Sequence, residues 1–191
     1  YRVALSGAKQ IRLSDLRITT GGDALIDGAV ITATSSVGEI RNFEIDLGNV
    51  LAIPDASTLE AKVLSITQPN ADGDLVTSEF EFDTNGSITS GRTHVLIAGD
   101  ETPEELAATI KAHVEGVVDD ITVTYLGGNE LHFGDSEQTT FDGTDVSFTE
   151  ISTAGTSNAS NRQVSILGLH SKTSNDIASE IGGAIAADGH I

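Results

Sequence analysis

One nine-residue segment occurs twice in this chain and sets most of what the chain can become. Thr102-Pro103-Glu104-Glu105-Leu106-Ala107-Ala108-Thr109-Ile110 returns 71 residues later as Thr173-Ser174-Asn175-Asp176-Ile177-Ala178-Ser179-Glu180-Ile181. Each copy opens on a Thr suited to a helix N-cap, with an acid three residues on in the capping-box position. Pro103 suits a first helical position, and Gly116 is placed to end the first helix, over 102–115. Apolar residues follow at i, i+4 and i+8: Leu106, Ile110 and Val114 in one copy, Ile177, Ile181 and Ile185 in the other. Gly182-Gly183 weakens the second helix by about 1 kcal/mol per Gly relative to Ala. A helix with one narrow apolar stripe covers a sheet; it is not a core by itself.

The rest reads as short strands between Gly, Asn and Asp turns. Asn42–Leu47 alternates Phe43, Ile45 and Leu47 with Glu44 and Asp46, and Glu79–Asp83 alternates Phe80 and Phe82 with acids, the period-2 pattern of strands. Ala29–Thr34 is a β-branched run, and Ala61–Thr67 alternates in the same manner. A strand precedes each helix, His94–Ala98 and Gln163–Leu167. The fold class expected is therefore α+β, mainly β: two related sheet units, each covered by one short helix.

The first helix is followed by a hairpin-like run, Thr124–Asp135, whereas the sequence given stops ten residues after Ile181. The N-terminal run Val3–Asp15 matches that hairpin apart from one extra turn residue. The expected division is a β-rich unit over 1–150 and an incomplete strand-helix unit over 151–191, completed by residues 1–15. Completion within one chain or by strand exchange between protomers both remain open. Val3, Leu5, Ile11 and Leu13 on the hairpin, with Ile177, Ile181 and Ile185 on the helix, are the expected assembly residues. The physical basis is strand addition to an open edge, and a head-to-tail contact that does not close gives a polymer of the chain with itself.

Twenty-nine acidic against 10 basic side chains give a net charge of −19. Phosphate binding needs Lys and Arg on one face, so nucleic acid is not an expected partner, and no run has the apolar length for membrane insertion. High salt or a divalent cation would relieve the self-repulsion. With 4% aromatics and no Trp, the core must rest on Val, Ile, Leu and Ala, which suits thin layers. The absence of Cys excludes disulfides and thiolate chemistry. A chain beginning at Tyr1 is expected to be a processed or excised product.

Nothing in the sequence points to an enzyme. His94, His113, His132, His170 and His190 form no ligand-spaced pair, and there is no nucleophile elbow, dinucleotide fingerprint or phosphate loop. Ca²⁺ is the one cofactor the residue types admit: Asn70, Asp72 and Asp74, then Asp83 and Asn85, then Asp142 and Asp145 set hard oxygen ligands on Gly turns. The same residues are ordinary turn formers. Asn85-Gly86-Ser87 and Asn158-Ala159-Ser160 are glycosylation triplets, making Asn85 and Asn158 candidate acceptors.

The sequence resembles β-rich repeat modules of very large bacterial surface and exported proteins over roughly 59–135 and again 162–189. The resemblance rests on a Thr-x-x-[Asp/Glu]-[Leu/Ile]-Ala-x-x-Ile helix before a Gly-turn hairpin. A similar helix-then-hairpin unit occurs in outer domains of flagellin-like filament proteins, although this chain has no long terminal coiled-coil helices. The resemblance implies export and a scaffolding or adhesive role, and no catalytic residues. The function expected is a structural subunit or excised repeat of an extracellular or cell-surface assembly: a filament, surface layer or matrix. The alternative is an adhesin or virion structural module that binds a host surface or glycan.

Overall fold

The computed structural model describes residues 2–4, 10–12, 27–35, 38–142, 148–168 and 172–188. The protein is α+β and mainly β. Its strands are β1 (Arg2–Ala4), β2 (Gln10–Arg12), β3 (Val30–Thr34), β4 (Ile40–Asp46), β5 (Val50–Ala52), β6 (Val63–Pro69), β7 (Leu75–Asp83), β8 (Thr93–Leu96), β9 (Thr124–Gly127), β10 (Glu130–His132), β11 (Thr140–Asp142), β12 (Thr149–Ser152) and β13 (Arg162–Ser165). The helices are α1 (Pro103–Glu115) and α2 (Ser174–Asp188). The chain divides into two compact units: Gly48–Ala154, continuous in sequence, and Tyr1–Leu47 with Gly155–Ile191, which the first interrupts.

The continuous unit carries two four-stranded sheets, β12-β5-β10-β9 and β11-β6-β7-β8. Period-2 alternation on β6 and β7 turns Leu64, Ile66, Phe80 and Phe82 inward, all fully buried. Against them pack Leu106, Ile110 and Val114 of α1, with Leu51 and Leu131 of the other sheet and Phe133, just after β10, in the same core. The capping box forms as the sequence predicts: Thr102 Oγ1 accepts from the Glu105 amide at 3.3 Å, and Glu105 accepts from the Thr102 amide at 2.9 Å. Gly116 ends α1 in a right-handed conformation, not the left-handed one a C-terminal Gly usually supplies.

The interrupted unit has the three-stranded sheet β13-β4-β3 and the separate β1–β2 hairpin. Ile177, Ile181 and Ile185 of α2 are buried in one core with Phe43, Ile45, Val164 and Ile166. Thr173 and Asp176 repeat the cap geometry of α1, and α2 runs unbroken through Gly182-Gly183.

This differs from the expected division in two respects. Among the described residues β1 and β2 pair only with each other and add no strand to β13-β4-β3, so they do not complete the sheet under the second helix, and the strands that do lie elsewhere in the chain. The strands that the second helix covers include Val30–Thr34 and Ile40–Asp46, so residues 27–47 belong with the C-terminal strand and helix, and not with 48–150. The reason is pairing: β13 adds to β4 in parallel, Arg162 opposite Phe43 through Ser165 opposite Asp46. Sequence distance hid this, since over a hundred residues separate the two strands. Val3 and Ile11 are register partners in the antiparallel β1–β2 pair. Leu5 and Leu13 lie outside the described residues.

Candidate functional site

The candidate site is a carboxylate cradle that occurs twice. In the continuous unit β7 ends Glu79-Phe80-Glu81-Phe82-Asp83; in the interrupted unit β4 ends Asn42-Phe43-Glu44-Ile45-Asp46. Both are followed in parallel by a strand that opens the way to a helix, β8 in one and β13 in the other. The matched bonds are Ile97 N to Asp83 O at 3.0 Å and Ile166 N to Asp46 O at 2.9 Å.

The entry to each sheet is also duplicated. Gly28 N bonds Ile45 O, and Ala61 N bonds Phe82 O, each at 2.9 Å. Both residues sit in the left-handed region, Gly28 at φ +76° and Ala61 at φ +57°, a conformation that strains a side chain at the second position. The preceding acid caps the far end of the pair in both units. Asp27 accepts from the Leu47 amide at 3.0 Å, and Glu60 from the Thr84 amide at 2.7 Å.

Between the two parallel strands each unit must return along the sheet by a loop, and a buried glutamate holds that loop. Glu81 accepts from Arg92 Nη1 at 2.9 Å and from the Thr89 amide at 3.1 Å. Glu44 accepts from the Ser157 amide at 2.5 Å and Asn161 Nδ2 at 2.6 Å. The loops carry matching turns, Arg92 N to Thr89 O and Asn161 N to Asn158 O. The last acid of each strand also meets the facing strand: His94 Nε2 lies 2.9 Å from Asp83, and Gln163 donates to Asp46. Parallel neighbours ordinarily need a crossover of a dozen or more residues. Here nine, Thr84–Arg92, suffice, because β8 starts opposite Phe80, only three residues before β7 ends.

These contacts set the charge states. The Arg92 hydrogen bond first, with Thr89, holds Glu81 below the usual glutamate range against the opposing effect of burial. Ser157 first and then Asn161 do the same for Glu44. Burial pushes Asp83 upward, but the Asn85 and Gly86 amides with His94 outweigh it and bring it below its ordinary value. All three are therefore anions at neutral pH, occupied in holding backbone.

The remaining sequence candidates fall as follows. Asn70 Oδ1 accepts from the Asp72 and Asp74 amides, both at 3.0 Å, which closes the turn between β6 and β7. Asp83 and Asn85 meet in the cradle, with Asn85 donating to Glu60. Asp142 ends β11; Asp145 lies outside the described residues, as do His170 and His190. Among the described residues no group of three or more His, Asp or Glu side chains is placed to hold a metal ion. Asn158 is exposed, its Oδ1 accepting from the Ser160 amide at 2.9 Å. A cleft beside Gln68, Val76 and Val117 has a volume of about 50 Å³, small beside the several hundred Å³ of ligand pockets.

The sequence reading finds the repeated helix and two related units, but misses that the duplication extends to the strands before them and that one unit is nested in the other. The signal was present: Phe-Glu-apolar-Asp occurs at 43–46 and 80–83. The matching Thr helices lie 71 residues apart but the Phe-Glu motifs only 37 apart, since a whole unit intervenes within the first copy. A search at one fixed period passes over such nesting. Comparison with family models, with curated proteins and with solved structures gives no match.

Proposed function

We propose that this chain is a structural module of an extracellular assembly, joined to further copies of itself through β-strand contacts. The observation that carries the reading is where its buried polar groups go. Glu44, Glu81 and Asp83 hold loops. Asn49 bonds the Gly134, Ser136 and Ala154 backbone. Ser152 bonds Gly48, and Gln68 bonds Asp119. His132 pairs with Asp135 at 3.1 Å. Buried polar groups committed mostly to their own backbone fix a shape, and among the described residues these do not converge in a pocket as an acid, base or nucleophile would. Among the described residues the sheets end in strands paired on one side only, β3 and β13 in one, β8 and β11 in another, β9 and β12 in the third, and free strand sides are where chains add to each other.

Export, and the likeness to repeat modules of surface proteins, belong to the same proposal and rest on the helix-then-hairpin pattern with an acidic, cysteine-free composition. No helix among the described residues is long and apolar enough to cross a membrane. The test is electron microscopy of the purified chain at low and high salt. Ordered oligomers or polymers that grow as salt screens the net charge of −19 are expected. A monomer under all conditions that binds an immobilised glycan would favour the adhesin reading instead.

A further inference from the structure

We infer that β3 is the assembly edge, pairing antiparallel with β3 of a second copy of this chain. The inference rests on the structural-module reading and names its contact.

The duplication supplies the precedent. β3 and β6 are equivalent strands: Val30, Thr32 and Thr34 stand opposite Glu44, Asn42 and Ile40 as Val63, Ser65 and Thr67 stand opposite Glu81, Glu79 and Thr77. In the continuous unit the other side of β6 is occupied. β11 pairs there antiparallel, Asp142 opposite Ser65 and Thr140 opposite Thr67. In the interrupted unit β3 ends its sheet, with no described strand on the equivalent side. Among the described residues this unit therefore leaves unpaired an edge whose counterpart in the continuous unit accepts a strand. The outward groups follow from the pairing. Ile45 N bonds Ala29 O at 2.9 Å, and antiparallel bonding alternates from there. Ile31 and Ala33 turn their backbone groups to β4, and Val30, Thr32 and Thr34 present theirs to the free side.

The occupant follows from charge. Copies with a net charge of −19 repel, so a contact between them needs an uncharged strip. β3 reads Val-Ile-Thr-Ala-Thr, with no charged residue, no proline and no bulge, none of the devices that protect an edge. Val30 is half exposed. β11 and β12 carry Asp142 and Glu150, β13 carries Arg162, and β9 has a register shift against its neighbour. β8 carries His94 beside the Asp83 carboxylate, and among the described residues neither unit seats a strand on that side. An uncharged strand meets an identical one without conflict across a two-fold axis. An axis at Thr32 sets Val30 of one copy opposite Thr34 of the other, a pairing of β-branched side chains, and joins two three-stranded sheets into one.

The test is sedimentation of the full chain in about 0.5 M salt, where the Debye length falls to roughly 4 Å. Two variants accompany it. Thr32→Pro removes an outward donor and leaves the backbone bonds to β4; Thr32→Lys keeps the backbone and sets like charges face to face. Both lose the exposed Thr32 Oγ1 bond to Asn42 on β4, so that loss is common to the two. Circular dichroism checks that each is folded, and should Thr32→Pro not fold, Thr32→Lys decides. The expected result is a dimer of the 19.8 kDa chain that reverts to monomer in the folded variants. Since the chain has no cysteine, Thr32→Cys should give a covalent dimer on oxidation where Ser160→Cys, on an exposed loop, does not. Association that survives Thr32→Lys overturns the inference while leaving the structural-module reading in place. A monomer at every concentration and salt overturns both.

Discussion

Replacing Glu81 by Gln isolates what the carboxylate cradle contributes. Glu81 is 4% exposed and accepts two hydrogen bonds, one from the Arg92 guanidinium and one from the Thr89 amide. Hydrogen bonds to a charged group contribute about 1.5–3 kcal/mol. Gln keeps the shape and one acceptor oxygen, and Arg92 retains Glu79 at 3.1 Å and contact with water, so the loss should be near the lower end, about 2 kcal/mol at pH 7. Glu44→Gln should cost somewhat less, about 1.5 kcal/mol at the bottom of that range, because its donors, the Ser157 amide and Asn161, are neutral and only the acceptor is charged. The pH dependence has a definite sign. The Glu81 pKa is lowered on folding, so its stabilisation is present above the ordinary glutamate pKa and lost as pH falls through the lowered folded value. Urea denaturation of wild type and Glu81→Gln at pH 7 and pH 3 measures both effects. The difference should be largest at pH 7 and shrink at pH 3. A cost that is the same at both pH values would refute the charge argument, and no cost at all would refute the cradle.

Three further outcomes are expected. Gly28→Ala should destabilise by about 1 kcal/mol through the left-handed backbone alone, since an added Cβ meets nothing closer than 3.9 Å; Ala61→Gly should be neutral or stabilising, and thermal melts of the pair decide. Ile110→Ala and Ile181→Ala should each cost about 2–5 kcal/mol and combine nearly additively, because the two cores share no residue; strong non-additivity in denaturation curves would contradict separate cores. Thr102→Ala should cost about 1 kcal/mol by removing the capping box of α1, with Glu105→Ala giving a similar loss of helix protection in hydrogen exchange.

Much of this architecture was legible in the sequence where the signal is local. Both caps read from Thr-x-x-acid, and both apolar stripes from i, i+4, i+8 spacing, since helix geometry is set within a few residues. Phe43, Ile45, Phe80 and Phe82 read as inward-facing from alternation. What the sequence did not reveal was which strand meets which. The pairing of β13 with β4 is set by packing of Val164 and Ile166 on Phe43 and Ile45, a contact between distant segments with no local marker. Nor did alternation show that Glu44 and Glu81 are buried, because an acid between two core residues ordinarily faces water. Only the loop donors, Ser157 and Asn161 or Thr89 and Arg92, make burial tolerable. The Asn70 turn read as a potential ligand set because liganding and turn-closing use the same oxygen atoms; here Asn70 Oδ1 serves the turn.

That one unit interrupts another is the claim on which the rest depends, and a deletion tests it. Removing residues 48–153 joins Leu47 to Ala154 and leaves nine residues, Leu47 with Ala154–Asn161, between β4 and β13. That is the length of Thr84–Arg92, which joins the equivalent strands in the continuous unit. The shortened chain is expected to give a cooperative melt and dispersed amide resonances, with Ile177, Ile181 and Ile185 still buried. A shortened chain with no cooperative transition would contradict the account.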